Sequence, residues 1–184
     1  MTSSDGSTTS SIGDRAGDIG ERLAEEKKAY AGDEDRPLEG YLAAMATFGG
    51  FAAVVVMAAA SRRHDMPERF SVVDIALTGI ATHKLSRIIS KDSVTSPLRA
   101  PFTRYREPGG PAELVEEVRG SGTRHAIGEL VTCPFCLAPW IATALTGGLV
   151  VAPRFTRAVT AVFSAVAVSD QLQLVYAQHQ QAAE

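Results

Sequence analysis

The sequence has little of what secreted proteins and common enzymes carry. Only two of its 184 residues are cysteines, Cys133 and Cys136, which is too few for a disulfide-stapled domain. The first 39 residues lack a basic start followed by an apolar core, so we expect no secretory signal peptide. A Gly-rich phosphate loop, a nucleophile elbow and an H-E-x-x-H sequence are missing as well, which weakens the case for an enzyme.

Charge is missing from two long stretches of the chain. Residues 40–60 and 130–153 contain no Asp, Glu, Lys or Arg, although 21% of the whole sequence is charged. At a rise of 1.5 Å per residue, the first stretch would extend about 31 Å as a helix, the thickness of a bilayer core. Both stretches are therefore predicted to be transmembrane helices, over residues 40–60 and 133–153.

Two further stretches are apolar with isolated charges. Residues 70–90 are apolar at first, except for Asp74, and basic toward the end, so they could cross the membrane with snorkelling cations or lie flat in the interface. We favour crossing, because the apolar half has no polar face apart from Asp74. Residues 157–178 are apolar after Arg157, apart from Asp170 and a few polar side chains, and a short connection predicts an antiparallel hairpin over 133–178.

What remains of the chain is polar. Residues 1–39 hold ten acids and five bases and are predicted to be a disordered acidic tail. Residues 91–130 are predicted to be a water-facing basic segment, in which residues 111–119 have the spacing of a short amphipathic helix. The fold class is therefore all-α: a small integral membrane protein with about four transmembrane or membrane-associated helices.

Arginines alternate with aromatic residues in the basic segment. Arg99, Arg104 and Arg106 lie among Phe102 and Tyr105, a pattern that suits phosphate, lipid headgroups or nucleic acid. Next to a membrane, headgroup contact is the simplest interpretation, and no nucleic-acid partner is expected.

The only tryptophan has a similar interpretation. Trp140 near the start of its apolar stretch suits the headgroup region, where an indole N–H stays hydrated.

The distribution of Lys and Arg predicts an orientation. Residues 84–124 hold eight, whereas residues 61–69 hold three and residues 152–157 hold two. Because basic loops stay in the cytoplasm, the central segment should be cytoplasmic, and four crossings would leave both termini on that side. If residues 70–90 only lie on the surface, the N-terminus is outside instead.

Several sequence blocks resemble a known family. These are His83-Lys-Leu-Ser-Arg87, Lys91-Asp92, Pro97-Leu-Arg-Ala-Pro-Phe102, Gly128-Glu-Leu, and Cys133-Pro-Phe-Cys136 with Trp140. Their order and spacing resemble the bacterial family known as domain of unknown function number 1360, over about residues 70–178. The resemblance implies a small membrane protein, and some members carry a sporulation-protein label. It implies no reaction.

The two cysteines form a C-x-x-C at a predicted helix start, which leaves three interpretations open. The helix N-terminus favours a thiolate, as dithiol–disulfide exchange requires. Zinc is the second interpretation, but Cys133 and Cys136 supply only two of four ligands, so His83, His125 or a second subunit would have to complete the site. In the third, both are small residues packed at a helix boundary.

Three acids complete the candidate residues. Asp74 and Asp170 lie in apolar stretches, where a carboxylate is costly and usually marks an ion pair, a cap or a proton pathway. Glu129 follows His125 by four residues, so the two share a helix face and form either a general base or a surface pair.

Together these features predict a bacterial inner-membrane protein with several crossings and a cytoplasmic basic segment. Its function would be structural or an interaction in the envelope, with no cofactor required. The alternative is a membrane thiol oxidoreductase or a dimeric metal site, with zinc, built on the C-x-x-C. The expected partners are the lipid bilayer and either a second copy or other membrane proteins.

Overall fold

The structure is a computed structural model that describes residues 17–22, 24–26, 28–30, 37–62 and 69–183. The chain divides into two units, Met1–Leu38 and Glu39–Glu184. In the first unit the described residues between 17 and 30 are helical and exposed. The disorder predicted for residues 1–39 stays a prediction, and residues 1–16, 23, 27 and 31–36 lie outside the described residues.

Helices dominate the second unit. The elements, in chain order, are α1 (Leu38–Ala60), α2 (Val72–Lys91), a 3₁₀ helix (Ser93–Thr95), α3 (Ser96–Arg99), β1 (Thr103–Pro108), β2 (Leu114–Val118), α4 (Gly122–Thr132), α5 (Pro134–Val151) and α6 (Pro153–Ala183). The predicted all-α class is confirmed, with one β-hairpin added. Among the described residues, α1, α5 and α6 are long and apolar enough to cross a membrane. The crossing predicted for residues 70–90, which become α2, stays a prediction.

The helix α2 lies at the centre of the fold and packs against both α5 and α6. It begins after Ser71, whose hydroxyl accepts a hydrogen bond from the Asp74 amide at 2.9 Å, and thus caps the first turn. Its buried face repeats every four residues and consists of small or polar side chains: Asp74, Thr78, Thr82, Ser86 and Ser90. Such side chains let a neighbouring backbone come close, as they do between membrane helices.

The helix α6 presents a matching face to α2. Its buried residues are Thr156, Thr160, Ser164 and Ala167, and the Ser164 hydroxyl donates to the Leu77 carbonyl of α2 at 2.9 Å. Asp74 pairs with Arg157 near the start of both helices, and Lys84 pairs with Asp170 farther along. The two helices therefore run in the same direction.

The large apolar side chains lie on the outside of these helices. Val72, Val73 and Ile75 of α2, and Phe155, Val162 and Val168 of α6, are all exposed. Water would penalise such a surface, whereas lipid would not, so this polarity is typical of a membrane protein.

The helix α1 lies along α4 and α5 in the same direction. Gly40 faces Ala126, and the Tyr41 hydroxyl donates to Glu129 at 2.5 Å. Farther along, a Cβ at Gly147 would lie 2.2 Å from Cγ1 of Val55. Glycine is therefore what allows these helices to come so close.

The helix predicted for residues 111–119 is wrong. Leu114–Val118 is instead a strand, β2, which pairs antiparallel with β1 and has a bulge between Tyr105 and Glu107. Its side chains alternate between half-buried and exposed, the period-two pattern of a strand on a surface. Its apolar residues Leu114, Val115 and Val118 also fit a helical spacing, but the facing strand decides the conformation.

Candidate functional site

The residues between α2 and α4 form a compact polar unit around one arginine. We call residues 92–118 the polar cap; it contains the 3₁₀ helix, α3 and the hairpin. The Arg99 side chain is 0% exposed, and that of its ion-pair partner Glu116 is 6% exposed. A charge so buried is tolerable only when partners surround it.

Arg99 has those partners in three separate parts of the chain. Nε donates to the Glu116 carboxylate of β2. Nη1 donates at 2.8 Å to the Ile89 carbonyl and to the Thr95 hydroxyl, and Nη2 donates at 3.0 Å to the Asp92 carbonyl. Because the last carbonyls of α2 lack partners within the helix, this guanidinium both closes the helix end and holds the hairpin against it.

The predicted headgroup contact of Arg99 is therefore wrong, because its guanidinium lies inside the protein. Arg104 and Arg106 lie on β1 and are exposed, and Arg106 pairs with Glu117. Headgroup contact by these two stays a prediction. The sequence did not identify Glu116 as the buried partner. Only the pairing of β2 with the arginine-rich strand β1 could have suggested it.

Trp140 lies at the contact between α1 and α5. Its ring is half-buried, edge-on to Phe48 with a centroid distance of 5.1 Å and stacked on Phe51 at 5.7 Å. Headgroup contact by the indole stays a prediction.

The two cysteines lie where α4 ends and α5 begins. The Cys136 amide donates to the Cys133 sulfur at 3.2 Å, so Cys133 caps α5, and both thiols are free. The described residues contain no group of three or more His, Cys, Asp and Glu side chains placed to hold a metal. One chain thus brings two thiols together, and the metal and redox interpretations stay predictions.

Asp74 and Asp170 both lie opposite a base of a neighbouring helix. Asp74 accepts two hydrogen bonds from Arg157, at 2.8 and 2.9 Å, in the bidentate geometry that makes such pairs strong. Asp170 lies 2.7 Å from the Lys84 ammonium. Both pairs join α2 to α6.

Glu129 joins α4 to its neighbours. One carboxylate oxygen accepts the Tyr41 hydroxyl, and the other lies 3.5 Å from Nε2 of His125. This carboxylate is engaged in holding α1 against α4.

A cleft of about 610 Å³ lies between α2, α6 and the hairpin turn. We call it the α2–α6 cleft. Its wall on α2 carries the bases His83, Lys84 and Arg87, and its wall on α6 carries Asp170. The hairpin turn, residues 110–113, closes one end and places the Glu113 carboxylate on Arg87.

The sequence did not predict this cleft. Its bases have the spacing of one face of a helix, so their common position on α2 was predictable from the sequence. Their acidic partners come from residues 113 and 170, and only the parallel packing of α2 and α6 brings them together.

Comparison with known proteins gives the chain a family. Residues 77–176 match the family described as "Protein of unknown function (DUF1360)", which is more than half of the chain. The chain belongs to this family.

A curated protein and the solved structures complete the comparison. The chain is 34% identical over 71 residues to the sporulation protein YjcA of Bacillus subtilis (strain 168). These residues are 37% of this chain, which spans 60% of the length of that relative. No solved structure matches the chain.

The DUF1360 region of this chain contains most of α2, the polar cap, α4, α5 and most of α6, but not α1. The blocks that carry the resemblance have distinct places in it. The His83 block lines the cleft, Arg99 holds the cap, and Cys133 caps α5. Gly128 lies under the hairpin, where a Cβ would be 2.4 Å from Val118.

Proposed function

We propose that this DUF1360 member is a multi-pass protein of the bacterial inner membrane with a structural or interaction role in the envelope. Four helices would anchor the polar cap at the cytoplasmic surface. The observation that carries this proposal is the inverted polarity of α2 and α6, with Ser, Thr and Asp inside and large apolar side chains outside. In lipid this arrangement is stable, whereas in water it is not.

The packing of α2 supports a fourth crossing. Its 20 residues would extend about 30 Å, and its buried face runs from Asp74 to Ser90 against two apolar helices. A helix lying flat in the interface would not run parallel to a membrane-spanning neighbour over that length. The start of α1, the end of α2, the cap and the Asp170 end of α6 would then all lie on one side.

The charge distribution supports a cytoplasmic cap. Eight Lys and Arg lie within residues 84–124, at the cap end, against five in the two connections at the other end. The larger number of basic residues is expected on the cytoplasmic side.

The polar cap supports a role in binding or scaffolding. The Arg99 network fixes its shape, and exposed Arg104, Tyr105 and Arg106 give β1 a surface that another molecule could contact. The name of the Bacillus subtilis relative suggests sporulation as one process in which such an envelope protein could act.

Reporter fusions test the placement in the membrane. A reporter that is active only in the cytoplasm should be active when fused after Gly120 or after Glu184, and inactive when fused after Arg69. Alkaline phosphatase, active only outside, should give the reverse pattern. Phosphatase activity after Glu184 would refute the four-crossing arrangement.

A second experiment separates an interaction role from cysteine chemistry. Cys133 and Cys136 are replaced together by Ser, which keeps an acceptor at the cap of α5. A structural or interaction protein should keep its membrane level and its cellular role, whereas loss of the role at an unchanged membrane level would contradict the proposal.

A further inference from the structure

The α2–α6 cleft continues into a groove of different character. The groove measures about 390 Å³ and is lined by Gly79, Ile80 and Val168. It shares His83, Ala167 and Gln171 with the cleft, so the two form one continuous depression. One end of the depression is charged and the other is apolar, so it is complementary to an amphiphilic molecule.

The charges of the cleft are balanced and stand in two ion pairs that border it. Lys84 and Arg87 stand one turn apart on α2, and their carboxylate partners Asp170 and Glu113 come from α6 and the hairpin turn. The two cations and the two carboxylates sum to zero. A ligand of one sign would compete with one member of each ion pair for its partner, whereas a zwitterion can contact the bases and the carboxylates together.

We propose that this depression binds a membrane phospholipid with a phosphoethanolamine headgroup. The phosphate accepts hydrogen bonds from Lys84 and Arg87, and the primary ammonium donates to Asp170 and Glu113. One acyl chain lies along the groove beside Gly79 and Ile80. The volume of the cleft is in the range of small-ligand sites.

Other common headgroups fit less well. A choline headgroup has no N–H to donate, and proteins that bind it use aromatic side chains. None of the described residues that line the cleft is Phe, Tyr or Trp. A phospholipid with a glycerol headgroup carries a net negative charge and has no ammonium group to donate to the two carboxylates.

The position of the cleft suits a lipid from the surrounding bilayer. It lies beside the end of α2 that leads into the polar cap, so its charged part would be at headgroup depth and its groove in the hydrocarbon. This inference rests on the proposed membrane placement. Binding in detergent does not depend on which side the cap faces, so its failure and a failed topology are distinguishable.

Lipid retention by the purified full-length chain tests the proposal. Phospholipids with identical acyl chains and ethanolamine, choline or glycerol headgroups are titrated into the protein in detergent, and bound lipid is counted by native mass spectrometry. The ethanolamine lipid should bind about tenfold more tightly, the effect of one or two charged hydrogen bonds. Equal binding of all three, or preference for the glycerol lipid, would overturn it.

Two matched pairs of variants locate the binding. Glu113→Gln should lower ethanolamine-lipid affinity about tenfold, whereas Glu117→Gln, on the same hairpin but outside the cleft, should leave it unchanged. Gly79→Phe should block the groove, and Gly49→Phe on α1 should not.

Neither glycine has an atom within 4 Å of an added Cβ, so both Phe variants should fold. Equal losses within either pair would contradict the assignment of the cleft.

Discussion

Arg99 is a buried charge in a segment that the sequence predicts to face water. Its guanidinium contacts one carboxylate, one hydroxyl and two main-chain carbonyls, so most of its donors are used. Lysine could not reproduce this, because an ammonium is a point charge without the planar set of donors. The shape of the polar cap therefore depends on a single side chain.

Replacing Arg99 tests that dependence. Arg99→Met leaves the buried Glu116 carboxylate without its cation, which should lower the free energy of unfolding by about 3–5 kcal/mol. Thermal unfolding of the purified protein in detergent measures the loss. Arg106→Met makes the same change in the exposed pair with Glu117 and should cost less than about 1 kcal/mol. Equal losses in the two variants would show that Arg99 is not the centre of the cap.

Sequence patterns could not reveal the burial of Arg99. Arginines interleaved with aromatic residues predict a contact surface. The side chains of Arg104 and Arg106 are exposed, as such a surface requires. The partners of Arg99 come from α2, the 3₁₀ helix and β2, and no local spacing brings those segments together. Long-range pairing is the information that the pattern lacks.

At the scale of elements, the long helices were predictable and the hairpin was not. The predicted 40–60 and 70–90 correspond to Leu38–Ala60 and Val72–Lys91, because the absence of charge and the helical period act along one segment. Leu114, Val115 and Val118 fit both a helix and a strand. The pairing with β1, in which Thr103 lies opposite Val118 and Pro108 opposite Leu114, selects the strand.

The start of α5 gives the C-x-x-C an ordinary structural role. The Cys133 sulfur accepts the amide of Cys136, at the position where Ser, Thr or Asp usually caps a helix. Sulfur is a weak acceptor, so this cap is weaker than a hydroxyl would be.

Substitutions at Cys133 measure its capping role. Cys133→Ala should lower the free energy of unfolding by about 0.5 kcal/mol, and Cys133→Ser should preserve or raise it, since the hydroxyl is a better acceptor. Cys136→Ser is the control, because its exposed thiol is not the acceptor. Thermal unfolding gives the order of the variants, and zinc analysis of the unaltered protein runs beside it. Bound zinc, with Ala and Ser equally destabilising at Cys133, would favour a metal site.

At the scale of the whole molecule, α1 stands apart from the family region. It precedes residues 77–176, yet it packs along α4 and α5 through Tyr41, Phe48 and Phe51. At Gly40 and Gly147 the contact is so close that an added Cβ would meet Ala126 and Val55. We infer that α1 docks on a DUF1360 core that the remaining helices build.

Trp140 makes this docking measurable, because it is the only tryptophan and lies against Phe48 and Phe51. Gly147→Leu places side-chain atoms where Val55 lies and should push α1 away, which exposes the indole to lipid. In brominated lipid, the quenching of tryptophan fluorescence should then increase. Gly49→Leu adds the same side chain where nothing lies within 4 Å and should leave quenching unchanged. If quenching in the Gly147→Leu variant equals that of the unaltered protein, α1 is held by contacts other than this one.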